Sequence, residues 1–109
     1  MDEYKVKITQ QANSHLFEIF TYINSKLKEP ATALRLLDEF QNGILSLNKL
    51  PKRIALIKEE PWKSYGIRRM SIKNFLIYFW ISDEVNEVHI IAVIYNKRDQ
   101  LEQLNQINI

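Results

Sequence analysis

The sequence contains no cysteine. That removes disulfide staples, thiolate zinc sites and thiol nucleophiles together, takes metal chemistry off the list of expectations, and leaves either redox compartment open. Glycine (2) and proline (3) are too scarce for a linker or a low-complexity chain. No apolar run is longer than the seven residues Phe75 to Ile81, against the roughly 20 that a membrane-spanning helix needs. The opening Met1-Asp2-Glu3 is acidic with no apolar stretch behind it, so no targeting segment is read and the chain is taken as cytoplasmic.

What is present suits one globular domain. At 109 residues and 46% hydrophobic content, the chain can hide roughly two-thirds of its unfolded surface. Lys and Arg number 15 against 13 Asp and Glu, a net charge of +2, too mild to argue nucleic-acid binding from the total. The distribution says more. Between Lys49 and Lys73 stand eight cations, Lys49, Lys52, Arg53, Lys58, Lys63, Arg68, Arg69 and Lys73, and two acids, Glu59 and Glu60.

Tyr4 to Ile8 alternates with period two, which predicts a short first strand with Tyr4, Val6 and Ile8 inward. Thr9 offers an N-cap hydroxyl, and Ala12, Leu16, Ile19, Phe20, Ile23 and Leu27 recur at helical spacing, predicting a helix from Gln10 to Leu27. Lys28-Glu29 is a break. Pro30 suits the first turn of a second helix that carries Leu36, Phe40, Gly43, Leu47 and Leu50 as its stripe, flanked by Ala33, Leu37 and Ile44, until Pro51 stops it. The short connection implies an antiparallel helical hairpin, and Gly43 suggests a close helix approach. Pro51 to Tyr65 reads as a basic loop with a short extended stretch at Ile54 to Ile57. Three strands follow, Gly66 to Ile72, Asn74 to Ser82 and Glu87 to Tyr95, turning at Lys73-Asn74 and Asp83 to Asn86, as an antiparallel meander packed on the helices. The fold class is therefore α+β. From Asp99 to Ile109 a weak helix with Leu101, Leu104 and Ile107 three apart is expected to fray.

That element order, closing on Ile91-Ala92-Val93-Ile94-Tyr95-Asn96-Lys97-Arg98-Asp99, resembles the RelE/ParE superfamily of toxins from bacterial type II toxin–antitoxin modules over nearly the whole chain. The resemblance is carried by Tyr4-Lys5-Val6, the first-helix phrase Leu16 to Ile23, the second-helix phrase Ala33 to Phe40, Ile67-Arg68-Arg69-Met70, Phe75 to Phe79 and the Lys97-Arg98-Asp99 ending, in that order and spacing. The Arg98-Asp99 ending is more similar to the ParE branch, whose members poison DNA gyrase, than to the RelE branch, whose members cleave mRNA on the ribosome. Two positions depart from the pattern. Leu76 stands where many relatives in both branches carry arginine, and Tyr95 where ParE-like sequences often have histidine. The resemblance implies a cognate antitoxin partner, operator DNA contacted only through the antitoxin complex, and no cofactor.

Cleavage of RNA by its 2′-hydroxyl needs a proton acceptor, a proton donor and cations for the phosphorane. His15 falls on the first helix away from the basic segment and His89 lies mid-strand between Val88 and Ile90, so both read as packed or surface histidines. The residues after Arg98 include neither the tyrosine nor the histidine that the RelE-type site resembles, and no catalytic residue is assigned. What remains is a cationic set, Arg68, Arg69, Lys73, Lys97 and Arg98, taken as target-binding, although Arg68 and Arg69 must point to opposite sheet faces and cannot both serve one site. Leu76, Tyr78 and Trp80 share the second face of their strand. They are either core beneath the C-terminal segment, with Trp62, or an open patch for the antitoxin; the second reading is taken. The functional expectation is a ParE-like inhibitor of DNA gyrase. The alternatives are a ribosome-dependent mRNA endoribonuclease and a degenerate, non-toxic module.

Overall fold

In the computed structural model, residues 3–97 and 100–107 are described. The chain runs β1 (Lys5–Ile8), α1 (Gln10–Thr21), α2 (Pro30–Leu45), β2 (Arg68–Ile72), β3 (Phe75–Ser82), β4 (Glu87–Tyr95) and α3 (Gln100–Asn105). The sheet order is β1-β4-β3-β2. The predicted meander is present, β2 antiparallel to β3 and β3 to β4, and β1 completes the sheet by pairing in parallel with β4. No helix among the described residues is long and apolar enough to cross a membrane.

Local chemistry explains the helix ends. Thr9 Oγ1 accepts the Ala12 N–H at 3.2 Å and donates to the Ile90 carbonyl at 2.8 Å, capping α1 and tying it to β4 in one residue. The last turn of the first helix widens into a π-turn over Tyr22–Lys26. α2 ends at Leu45, five residues before the predicted Leu50, and passes into a 3₁₀ turn at Ser46–Asn48. The cause is Pro51: the residue before proline is disfavoured in the helical region, and Leu50 takes a left-handed φ of 49° with its side chain 63% exposed. Arg53 covers that end, donating to the Lys49 carbonyl at 2.9 Å, the Leu50 carbonyl at 3.2 Å and Ser46 Oγ at 3.1 Å. Gly43 marks a close approach to β2 and not, as its sequence position suggested, to another helix, since a Cβ there would meet Ile72 Cδ1 at 2.5 Å.

The sheet serves two cores. On the helix side Ala12, Phe40, Ile44 and Leu47 meet Ile77, Phe79, Val88, Ile90 and Val93. On the other side Tyr78, Ile91, Ala92 and Ile94 meet Ile57, Trp62, Ile67 and Leu104. One extra residue in β4 makes this division. Tyr78 opposes Ala92 while Phe79 opposes Ile90, so Ile91 is unopposed and both Ile91 and Ala92 turn to the second core. β1 stops at Ile8, opposite Ile90, and α1 takes over where the strand ends: Gln11 Nε2 donates to the Ile91 carbonyl at 2.8 Å, and the Val93 N–H donates to His15 Nδ1 at 3.1 Å.

Two expectations are corrected. Ile8 is 46% exposed rather than inward, at the end of β1, the edge strand of the sheet. The described part of the C-terminal segment docks rather than standing free: Gln100–Asn105 is helical, Leu104 is 1% exposed, and Ile107 packs on the same cluster.

Candidate functional site

The described members of the cationic set do not assemble as one site. Arg68 lies opposite Phe79, half-buried, and its Nη1 donates to the Ile54 carbonyl and, at 3.3 Å, to that of Lys52. It clips the segment before β2 to the sheet. Arg69 points to the opposite face, exposed, beside Tyr78. Lys73 and Lys97 lie at the other end of the sheet, flanking the contact in which the Asn96 N–H donates to the Asn74 carbonyl at 2.9 Å. Four strand steps from Arg69 to Lys73 put about 13 Å between the two ends. Lys73 is paired with Glu39 at 3.4 Å. Arg98 lies outside the described residues.

A second cluster ties the edges of the fold. Asp83 accepts from Tyr4 Oη at 3.0 Å and pairs with Lys52 Nζ at 3.0 Å. The Lys52 hydrogen bond, then that of Tyr4, hold the Asp83 carboxyl below its ordinary range, and Asp83 in turn pushes the Lys52 ammonium up. Glu60 is lowered by its hydrogen bonds to Ser64. These are surface fastenings.

The open patch expected at Leu76, Tyr78 and Trp80 is covered by the chain itself. Tyr78 is 0% exposed, because Trp62 and Ile57 from the segment before β2 and Leu104 from α3 fold over it. Its hydroxyl donates to Gln100 Oε1 at 2.6 Å, and Gln100 Nε2 donates to the Tyr95 carbonyl at 3.0 Å. Burial pushes the Tyr78 phenol up, against a smaller downward pull from Arg69. Leu76 and Trp80 are half-buried at the margin of this core, and Trp80 stacks on His89 at 4.3 Å, the imidazole standing 3.1 Å from Glu87.

A groove of about 1170 Å³ lies elsewhere, between the first two helices and the end of the sheet that carries Lys73. Its floor is Ile19, Leu36, Phe75 and Val93; its walls are the stripes His15, Glu18, Tyr22 on the first helix and Thr32, Arg35, Glu39 on the second, with Lys73 and Tyr95 at its mouth. Sequence reasoning missed it. The signal available was the polar stripe at three- and four-residue spacing on each helix, which by itself is what any solvated helix face shows. Inside the groove the state of His15 is set by its neighbour. Nδ1 accepts the Val93 N–H, so the neutral ring carries its proton on Nε2. Such an imidazole has no lone pair left to take a proton, Nδ1 being engaged and Nε2 protonated.

Residues 6–100 match the family described as ParE toxin of type II toxin–antitoxin system, parDE. No curated protein sequence matches. Among solved structures the chain is similar to the chromosomal ParDE toxin–antitoxin system from P. aeruginosa, with TM-score 0.69 and 20% identity over 85% of this chain and 96% of that one. It is similar also to the RelBE2 toxin–antitoxin complex from Mycobacterium tuberculosis, with TM-score 0.58 and 23% identity over 85% and 98% of the two chains. A mutant of the E. coli toxin RelE in the free state aligns with TM-score 0.59 and 12% identity, over 97% of this chain and 99% of that one. These structural likenesses are of fold.

Proposed function

From the premise that this chain belongs to the ParE toxin family of type II toxin–antitoxin systems, we propose that it arrests growth by binding DNA gyrase, in the cytoplasm, and is neutralised by a cognate antitoxin. The observation that carries binding over cleavage is how the candidate chemical groups are spent. Arg68 satisfies two backbone carbonyls, Leu76 packs at a core margin, and His15 spends its Nδ1 lone pair on the Val93 N–H, so it lacks the free lone pair a general base needs.

Target contact is assigned to Lys73 and Lys97 at the sheet end, with Arg69 as a separate exposed cation on the second face; Arg98 belongs to the same proposal by its place in the chain. The antitoxin is assigned to the groove. Its apolar floor and mixed-charge walls suit an amphipathic segment that folds on binding, whereas the sheet face of Leu76, Tyr78 and Trp80 is filled by the chain's own residues. Operator DNA would then be reached through the antitoxin.

The deciding experiment is induced expression with pulse labelling of DNA and protein synthesis, followed by gyrase supercoiling and cleavage assays with purified protein. Early loss of DNA synthesis with trapped gyrase–DNA complexes is expected. Prompt loss of protein synthesis with cut mRNA would replace the proposal with the endoribonuclease reading, and growth without arrest with that of a non-toxic module.

A further inference from the structure

α2 buries one side in the first core and walls the groove with another, which leaves a third side over. Its exposed residues Leu34, Asp38, Gln41 and Leu45 fall on one stripe, since steps of four, three and four residues come back close to the same angle on a helix. The groove wall of Thr32, Arg35 and Glu39 lies roughly a third of a turn away around the axis. Leu34 is 58% exposed and Leu45 60%. Between them, the side chains of Asp38 and Gln41 take part in no hydrogen bond or ion pair among the described residues. An apolar lip from α1 runs beside the stripe: Phe20 and Leu37 line the seam between the two helices, and Phe17, one turn before Phe20, is 70% exposed.

We propose that this side of α2 receives a second copy of the chain, in a reversible antiparallel dimer. The stripe reads the same in both directions, apolar, polar, polar, apolar, so a two-fold axis across its middle lays it on its own equivalent. Leu34 of each copy then meets Leu45 of the other, and the Asp38 carboxylate of each accepts from the Gln41 amide of the other. The polar pair completes itself only in this arrangement. Parallel packing would set Asp38 against its own equivalent, where like charges repel, and a shift of one turn would place a leucine on a carboxylate or an amide and leave that group unpaired. Three helical turns, about 16 Å of axis, give each copy less than the roughly 800 Å² of a standard interface, which sets the dissociation constant on the order of 100 μM. The groove and the Lys73 end lie on the other flank of α2, where Lys73 pairs with Glu39, so the dimer leaves both open and the proposal stands whether or not gyrase is the target.

The test is sedimentation velocity of the full chain over a range from about 5 μM to about 1 mM, which brackets that constant. Wild type should pass from a 13.0 kDa species to one of twice that mass. Gln41→Lys sets an ammonium against the Asp38 carboxylate and should tighten the dimer about tenfold, because the contact is made twice; Gln41→Glu sets like charges together and should weaken it by a similar factor. Position 41 is exposed, so both variants should unfold at the wild-type midpoint. The register is read separately. The chain has no cysteine, so an equal mixture of Leu34→Cys and Leu45→Cys chains should form disulfide-linked dimers on mild oxidation with diamide, and should do so faster than either chain alone. A monomer at every concentration, a dimer indifferent to the charge at position 41, or cross-linking no faster in the mixture would overturn the proposal, and the first of these would leave the stripe to a different protein.

Discussion

His15→Ala tests whether the first helix is fastened to the sheet by one imidazole. In the native chain the Val93 N–H, on a residue only 3% exposed, donates to His15 Nδ1 at 3.1 Å. Alanine removes the acceptor and leaves the amide, on the groove floor, to whatever water the groove admits, so the loss lies within the range for an unsatisfied donor, about 1 to 3 kcal/mol. Taking the middle of that range, the loss is about 2 kcal/mol, or roughly 8 °C in Tm for a domain of this size. Urea unfolding of His15→Ala beside Ser14→Ala reads it out. Ser14 is the preceding, exposed residue of the same helix, and its substitution should stay within about 0.5 kcal/mol of wild type. If the two variants unfold at the same midpoint, the hydrogen bond contributes nothing and the fastening argument fails. A His15→Ala chain of unchanged stability that had lost all toxicity would go further and return the histidine to chemistry.

Leu104→Ala should destabilise by about 2 to 3 kcal/mol, since the side chain closes the second core; an unchanged midpoint would mean that the C-terminal helix is undocked in solution. Arg68→Ala should cost about 1 to 2 kcal/mol by leaving the Ile54 carbonyl without its donor, whereas Lys73→Ala with Lys97→Ala should leave unfolding within about 0.5 kcal/mol of wild type while abolishing growth arrest. A toxic lysine double variant would remove the sheet end from the target surface. Asp83 sits below its ordinary 3.8 in the folded chain, so its contribution to stability is present above that value and is lost as pH falls through the depressed one. Lys52 is raised above 10.5, so its contribution is complete below that value and is lost as pH rises through the raised one. Asp83→Asn should flatten both limbs of the stability–pH curve, and wild-type limbs in that variant would place the pH dependence elsewhere.

Most of the architecture could be read from periodicity because each strand and helix obeys its own repeat: β4 runs from Glu87 to Tyr95 as expected, and the Lys73-Asn74 turn joins the expected pair of strands. Apart from the end of α2, which the adjacent Pro51 decides locally, the errors share one cause, long-range packing that has no local signature. Leu50 looked like the next member of a helical stripe, and only the backbone demand of Pro51 excludes it. Leu104 and Ile107 looked too few to hold a helix, which is correct for an isolated peptide; they hold because Tyr78, Ile94 and Trp62 provide a surface to dock on. Arg68 was legible as a cation but not as a clip, since its carbonyl partners are 14 and 16 residues away. The groove was invisible for the same reason, being defined by two helices and a sheet end.

The unopposed residue in β4 decides which of that strand's side chains meet the apolar second face of β3. Without it, strict alternation from Val88 and Ile90 would send Ala92 and Ile94 to the helix side and Ile91 and Val93 to the other. With Ile91 unopposed, Ile91, Ala92 and Ile94 together line the second core, and Val93 returns to the first. Such an irregularity frees ladder groups, and here the freed side is where β1 has already ended and where Gln11 and His15, one helical turn apart, reach the Ile91 carbonyl and the Val93 amide. Strand length, β4 irregularity and helix polar face are thus one device: lengthening β1 by two residues would displace α1, and removing Gln11 and His15 together should cost less than the sum of the two single losses, because each holds the helix in place for the other. A double-mutant cycle in urea that returned strict additivity would show instead that the two bonds act independently.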